Sequence, residues 1–161
     1  MNLKDVKIEK GNKVFKFRVA GIVESEGKIL LTKMRKHNFY YFPGGHVELL
    51  EDTLSAAKRE LREELYFKFK IKKLLYIHEN IFVENGVNVH EICFYYKASP
   101  CEKVKKEDLI WEEIDNGEKL FHNYKWVDLS EFKNYDIRPK EILNKYVKNK
   151  NKFLYFSTKE I

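Results

Sequence analysis

The chain has 161 residues and a formal net charge of +6, with 35% charged residues, 12 Phe, 10 Tyr and 2 Trp. That length and aromatic content suit one folded domain over residues 1–161 and exclude an intrinsically disordered chain. No apolar run nears the roughly 18 residues of a membrane span, the opening MNLKDVKIEK lacks a signal-peptide core, and Cys93 and Cys101 fit neither a disulfide framework nor a zinc motif, so a cytoplasmic protein is expected.

The basic residues are mostly lysine, 26 against 5 arginines. Proteins that read phosphates and base edges favour the planar guanidinium. A solvated lysine-rich surface with a mild pull on anions is therefore expected, not a dedicated nucleic-acid interface.

In chain order, VFKFRVAGIVE (14–24) predicts a strand, ESEG (24–27) a turn and KILLTK (28–33) a second strand. FYYF (39–42) predicts a short strand that ends at Pro43-Gly44-Gly45. Residues 53–65 carry a helical period, with Leu54, Ala57, Leu61 and Leu65 on one stripe and Asp52 or Thr53 as N-cap. FKFKIKKLLYIHENIF (67–82) begins like a half-buried strand, ENGV (84–87) predicts a hairpin turn, and VHEICFYYKA (89–98) the return strand. There His90, Ile92, Phe94 and Tyr96 would share one face, and Glu91, Cys93 and Tyr95 the other. Residues 99–120 are polar and read mainly as loop. YKWVDL (124–129) predicts a strand, DLSEF a short helical turn, and KFLYFS (152–157) a last strand. Pro139 suits the first turn of a helix over 139–148. Together these predict an α/β fold with a mixed β-sheet between helices.

Residues 45–67 hold six acids, Glu48, Glu51, Asp52, Glu60, Glu63 and Glu64, against Lys58, Arg59 and Arg62. At about 100° per residue, Glu60, Glu63 and Glu64 share one roughly 100° arc beside the apolar stripe. Crowded carboxylates raise each other's pKa unless a cation sits among them, and an all-oxygen set suits a hard ion, Mg²⁺ or Mn²⁺. A charged solvent face is the plainer alternative, although the i,i+4 pair Glu60 and Glu64 is mildly destabilising there.

Read from Gly45, the order is Gly, five residues, Glu51, seven residues, Arg59-Glu60-Leu61-Arg62-Glu63-Glu64, then Leu65, Tyr66 and Phe67. This resembles the Nudix box of the Nudix hydrolases, G-x5-E-x7-R-E-U-x-E-E-x-G-U with U apolar, and departs from it at Tyr66, where the family carries glycine. The preceding strands, the FPGGHVE lead-in and the KWVDL strand also resemble the family. The resemblance implies a Nudix α/β/α sandwich. It implies attack by water on a phosphorus of a nucleoside diphosphate linked to another group, assisted by Mg²⁺ or Mn²⁺. By position it implies Glu60 and Glu64 as principal metal ligands and Glu63 as a further or water-mediated one, with Glu63 and Glu64 in the catalytic set. The Gly44 carbonyl would be a backbone ligand. Gly45 and a Glu51–Arg59 salt bridge would shape the loop and helix. At Tyr66 a left-handed cap would cost a tyrosine about 1 kcal/mol, so either strain or a different helix end is expected.

The family often adds a carboxylate, as base or ligand, from outside the box. Glu118, in the polar stretch before Trp126, is the first candidate, with Glu112 and Glu113 as alternatives and Glu91 as a rival. His46 and His90 would touch phosphate only if they are not structural histidines, the commoner case. Phe39, Tyr40, Tyr41, Phe94 and Tyr96 offer stacking faces but read more simply as core. In the family, ADP-ribose specificity often accompanies a proline shortly after the box, and diadenosine polyphosphate specificity a tyrosine there. No proline lies between Pro43 and Pro100 and no tyrosine between Tyr76 and Tyr95, so neither is favoured. The expected substrate is a small soluble nucleotide, such as a modified nucleoside triphosphate, with no membrane and no specific nucleic-acid partner. The alternative of a different class is a non-catalytic Nudix-fold module that senses a nucleotide or binds RNA. The full set of Glu60, Glu63 and Glu64 speaks against it.

Overall fold

In the computed structural model, which describes residues 4–115 and 117–161, one long strand organises the chain. After the short β1 (Lys7–Lys10), β2 (Lys13–Ser25) runs for 13 residues, long enough to change partners along its length. One edge pairs in parallel with β6 (Val87–Pro100) from residue 13 to residue 23. The opposite edge is shared in turn by β1, by β4 (Gly44–His46) and by β3 (Lys28–Met34). Between β4 and β3, the Gly21 N–H donates to the Pro43 carbonyl at 2.8 Å. This handover opens a fork in the sheet and sets Pro43-Gly44-Gly45 inside it.

The sheet continues as β7 (Leu109–Asp115), β8 (Glu118–Asp128), β3, β2, β6, β5 (Phe69–Glu84) and β9 (Leu154–Glu160). The β2–β6 and β5–β9 pairs are parallel and the others antiparallel, so the sheet is mixed. The β5–β6 hairpin turns on Asn85 and Gly86, both at positive φ, as a tight hairpin turn requires.

Helices cover both faces. On one side α1 (Thr53–Glu64) buries Ala56, Ala57 and Leu61 over Val19, Val23, Leu30 and Tyr96. On the other, α2 (Lys140–Lys148) buries Ile142, Leu143 and Tyr146 over Ile22, Ile29, Leu31, Phe42 and Cys93. Alternation along β2 and β6 feeds both layers, Val19 and Tyr96 to α1, Ile22, Cys93 and Tyr95 to α2. Gly21 lets α1 settle onto the fork, because a Cβ there would stand 2.8 Å from Leu61 Cδ2. The α/β class and the helix-flanked mixed sheet are those expected from the sequence.

Four local expectations change. Residues 99–120 are not mainly loop, since β6 extends to Pro100, β7 occupies Leu109–Asp115 and β8 starts at Glu118. The hairpin's alternation is masked because Ile110 and Ile114 face solvent while Leu109 and Trp111 pack beneath it. FYYF is not a strand. Tyr40 and Tyr41 make single bridges to Ile137 and Thr32, and the strand is Gly44–His46. Leu54 is exposed, and Ala56 is buried on the helix instead. Pro139 stands at the N-cap position of α2, just before its first turn.

Candidate active site

Asp52 caps α1, its Oδ1 accepting from the Ser55 N–H at 2.9 Å, and so fixes the helix start eight residues after Gly45. The helix then delivers its carboxylates to the fork. Glu64 is 7% exposed, and its Oε2 accepts the Gly44 N–H at 3.0 Å. Glu60 lies over Gly45 so closely that a Cβ on that glycine would meet Glu60 Oε2 at 2.2 Å. Burial pushes the Glu60 carboxyl above its ordinary pKa, with the Arg59 guanidinium offsetting part of the rise. Glu63 is turned outward, its side chain 53% exposed. Gly44 itself presses on β2, where a Cβ would fall 2.1 Å from the Val19 carbonyl oxygen.

Arg59 ties the loop to the helix. It grips Glu51 with two bonds, Nε to Oε1 at 2.9 Å and Nη2 to Oε2 at 2.8 Å. Nη2 also donates to the His46 carbonyl at 3.0 Å, and Nη1 to Glu60 Oε1 at 2.7 Å. Glu51 in turn accepts the Glu48 N–H at 3.1 Å. Its carboxyl is held below the usual range, chiefly by the bonds from Arg59. The Glu51–Arg59 bridge implied by the sequence is therefore formed.

From the sheet side a second charged pair approaches. Arg18, on β2, has Nη1 at 3.6 Å from Oε2 of Glu91, on β6, and Glu91 is buried. The field of Arg18 reaches both Glu60 and Glu64. Sequence reasoning weighed Glu91 but missed Arg18. The signal in the sequence is weak: Arg18 is the one arginine of β2, which also carries Lys13 and Lys16, and Glu91 is the one glutamate of β6.

The other candidates stand apart. Glu118 is exposed at the tip of the β7–β8 hairpin, opposite Asp115. From β8, Tyr124 reaches α1, its hydroxyl donating to the Glu64 carbonyl at 2.7 Å. Glu118 precedes it by six residues, about 20 Å along an extended strand, so the structure does not bring Glu118 to the helix carboxylates. Glu112 pairs with Lys119 at 2.8 Å, and the side chain of Glu113 lies outside the described residues. His90 Nε2 is 2.8 Å from Glu79 Oε1, and His46 is half-buried near Asp5, with burial pushing its pKa down to about 4. Phe39 is stacked on His37 and covered by Arg138, Tyr40 packs on Tyr135, and Phe94 and Tyr96 belong to the core beneath α1. Tyr41 Oη lies 3.4 Å from His122 Nδ1.

Tyr66 has its own explanation. Leu65 after the helix is extended, with φ −88° and ψ 137°, so no left-handed cap is needed. The Tyr66 hydroxyl accepts from Trp126 Nε1 at 3.2 Å and donates to the Lys105 carbonyl at 3.4 Å, while its ring packs on Phe67 and Tyr124. Tyr66→Gly is therefore expected to cost about 1–3 kcal/mol in a urea melt, through lost ring packing and an orphaned indole N–H. Tyr66→Phe should cost about 1 kcal/mol, since only the hydroxyl goes. A Tyr66→Gly variant as stable as the wild type would show that this network contributes nothing.

Among the described residues, no three or more His, Cys, Asp or Glu side chains form a ready-made metal nest. The donor chemistry nonetheless fits a hard divalent ion. Its atoms are all oxygens, and Glu60 and Glu64 converge on glycine backbone.

A family model described as NUDIX domain matches residues 15–146. An ADP-ribose pyrophosphatase from Methanocaldococcus jannaschii is 38% identical over 65 residues, and the match spans 38% of this chain and 38% of that relative's length. A mutator MutT protein from Bacillus halodurans superposes with a TM-score of 0.61 at 22% identity, covering 89% of this chain and 90% of that one. A UDP-X diphosphatase gives a TM-score of 0.60 at 15% identity, covering 88% of this chain and 66% of that one. At such identities these structures share the fold. No helix among the described residues is long and apolar enough to cross a membrane.

Proposed function

This chain is a member of the Nudix hydrolase family, its matched domain running over residues 15–146, and from that premise we propose that it is a pyrophosphohydrolase of small soluble nucleotides in the cytoplasm. Water would attack a phosphorus of a nucleoside diphosphate linked to another group and break the P–O–P anhydride, so that one phosphate leaves with the nucleoside and the other with the linked group. The observation that carries the reading is the pair of carboxylates, half-buried Glu60 and buried Glu64, turned onto the Gly44–Gly45 backbone and backed by the Arg59–Glu51 bridge.

Glu60, Glu64 and the Gly44 backbone would hold Mg²⁺ or Mn²⁺, with Glu63 as a further or water-mediated contributor. Such an ion neutralises phosphate charge and activates water. The chain's own residues prepare for it. Arg59 keeps Glu60 in place from the loop side, and Gly44 fixes one oxygen of Glu64. Glu63, exposed and 3.8 Å from Arg59, would be the helix carboxylate open to solvent that takes a proton from incoming water. For the carboxylate outside the box we favour Glu91, buried beside Arg18, over Glu118 at its hairpin tip.

The similarity to an ADP-ribose pyrophosphatase brings ADP-ribose into the substrate panel, although the chain lacks a proline shortly after the box. UDP-linked compounds and modified nucleoside triphosphates complete it. The test is product release from this panel with Mg²⁺, with Mn²⁺ and with EDTA. Turnover of at least one compound with metal, and none with EDTA, is expected. Saturable nucleotide or RNA binding without turnover would favour a non-catalytic module instead.

Metal alone should register in a thermal melt. An ion bound at 100 times its Kd adds about 2.7 kcal/mol, which for a domain of this size raises Tm by roughly 5–10 °C. Glu60→Gln should abolish most of that shift. A Tm indifferent to millimolar Mg²⁺ and Mn²⁺, with and without nucleotide, would count against the assigned ligands.

A further inference from the structure

Arg18 and Glu91 form a charged pair with unfinished bonding. The 3.6 Å between Nη1 and Oε2 exceeds hydrogen-bond reach, and Arg18 Nε is sealed from solvent without a partner. The Arg18 side chain is 28% exposed, so part of it still meets solvent. For Glu91, 8% exposed, this loose contact is the one ion pair among the described residues. Buried charges normally close hydrogen bonds on each other, and an exception calls for a reason.

The position supplies one. Arg18 pairs across β2 and β4 with His46, directly after Gly44-Gly45. The carboxylates of Glu60 and Glu64 lie within its field. Two arginines thus flank the helix carboxylates. Arg59, on the loop side, is engaged by Glu51, Glu60 and the His46 carbonyl. Arg18, on the sheet side, keeps a flat fork of five donors largely unused.

We propose that Arg18 is an anchor for the diphosphate unit of the substrate, exchanging its loose contact with Glu91 for charge-assisted bonds to a phosphate and leaving Glu91 free to serve the site. The proposal rests on the hydrolase reading above. One phosphate would lie at the helix carboxylates with their ion, and the next at Arg18. Pyrophosphate should therefore bind better than a single phosphate.

The test is calorimetric titration with inorganic pyrophosphate and inorganic phosphate, in EDTA and in Mg²⁺. It compares wild type, Arg18→Lys, Arg18→Gln and Glu91→Gln, with a melt of each and KM and kcat on the best panel substrate. Arg18→Gln should weaken pyrophosphate binding by about tenfold or more. Arg18→Lys keeps the charge but loses the fork, so its loss should fall mainly on KM. Glu91→Gln should bind pyrophosphate at least as tightly as wild type, because the guanidinium no longer has a competing carboxylate. A purely structural pair would lower the Tm of all three variants and leave the KM of Arg18→Lys unchanged. That pattern, unaltered pyrophosphate affinity in the folded Arg18 variants, or no binding by the wild type in either condition, overturns the anchor. If Arg18→Gln does not fold, Arg18→Lys decides. Arg18-dependent pyrophosphate binding without any nucleotide turnover would keep the anchor and sink the hydrolase reading. Metal-dependent turnover with unchanged KM in Arg18→Lys would do the reverse.

Discussion

Glu64→Gln is expected to lower kcat by roughly 10²–10³-fold, a loss of about 3–4 kcal/mol of transition-state stabilisation, while the fold stays in place. Glutamine keeps the size, the helix propensity and a side-chain oxygen that can accept the Gly44 N–H as Glu64 Oε2 does at 3.0 Å. What it removes is a negative charge that is 7% exposed and faces the fork. The melt in EDTA should therefore lie within about 1 kcal/mol of wild type. Glu51→Gln should behave differently. It breaks a two-bond grip on Arg59 that ties loop to helix, so about 1–3 kcal/mol of stability goes with it. Both variants are measured for kcat in saturating metal and for unfolding in EDTA. Full turnover by Glu64→Gln on the best panel substrate would refute the assigned role of its charge.

The helix and its carboxylates were legible because their signals are local. Asp52 precedes a helical period, and the alignment of Gly45, Glu51, Arg59, Glu60, Glu63 and Glu64 is a pattern along the chain. The fork was not legible, because no local pattern shows that β2 exchanges β4 for β3 along one edge. Gly44–His46 has weak strand propensity and becomes a strand through that tertiary pairing alone. For the same reason the place of Arg18 is not legible along the chain. Its meaning comes from Glu91, distant in sequence and brought near by the parallel pairing of β2 with β6. Glu118 is a candidate only by its place in the polar stretch before Trp126, which assumes a loop able to fold back. A hairpin strand holds it out instead.

The two glycines at the fork should fail in opposite ways when given a methyl group. In Gly44→Ala the new Cβ would stand 2.1 Å from the Val19 carbonyl oxygen and 2.7 Å from Ala20 Cα. Both are backbone atoms of the central strand, and neither can move without opening the pairing of Val19 with Gly45 and of Ala20 with Gly44. Gly44 also has φ +154°, a conformation that strains any residue with a side chain. A loss of about 3 kcal/mol or more is expected in urea unfolding. In Gly45→Ala the obstacle is the carboxylate of Glu60, whose three outer atoms would lie 2.2–2.5 Å from the methyl group. That is the end of a flexible side chain, and it can swing aside. Stability should then change by about 1 kcal/mol or less. Turnover should fall by at least about tenfold, because the displaced carboxylate leaves both the backbone of the fork and the bond from Arg59. The pair is read by urea unfolding beside kcat in saturating metal. A Gly45→Ala enzyme with wild-type turnover would mean that the seat of Glu60 over this glycine plays no part in the chemistry.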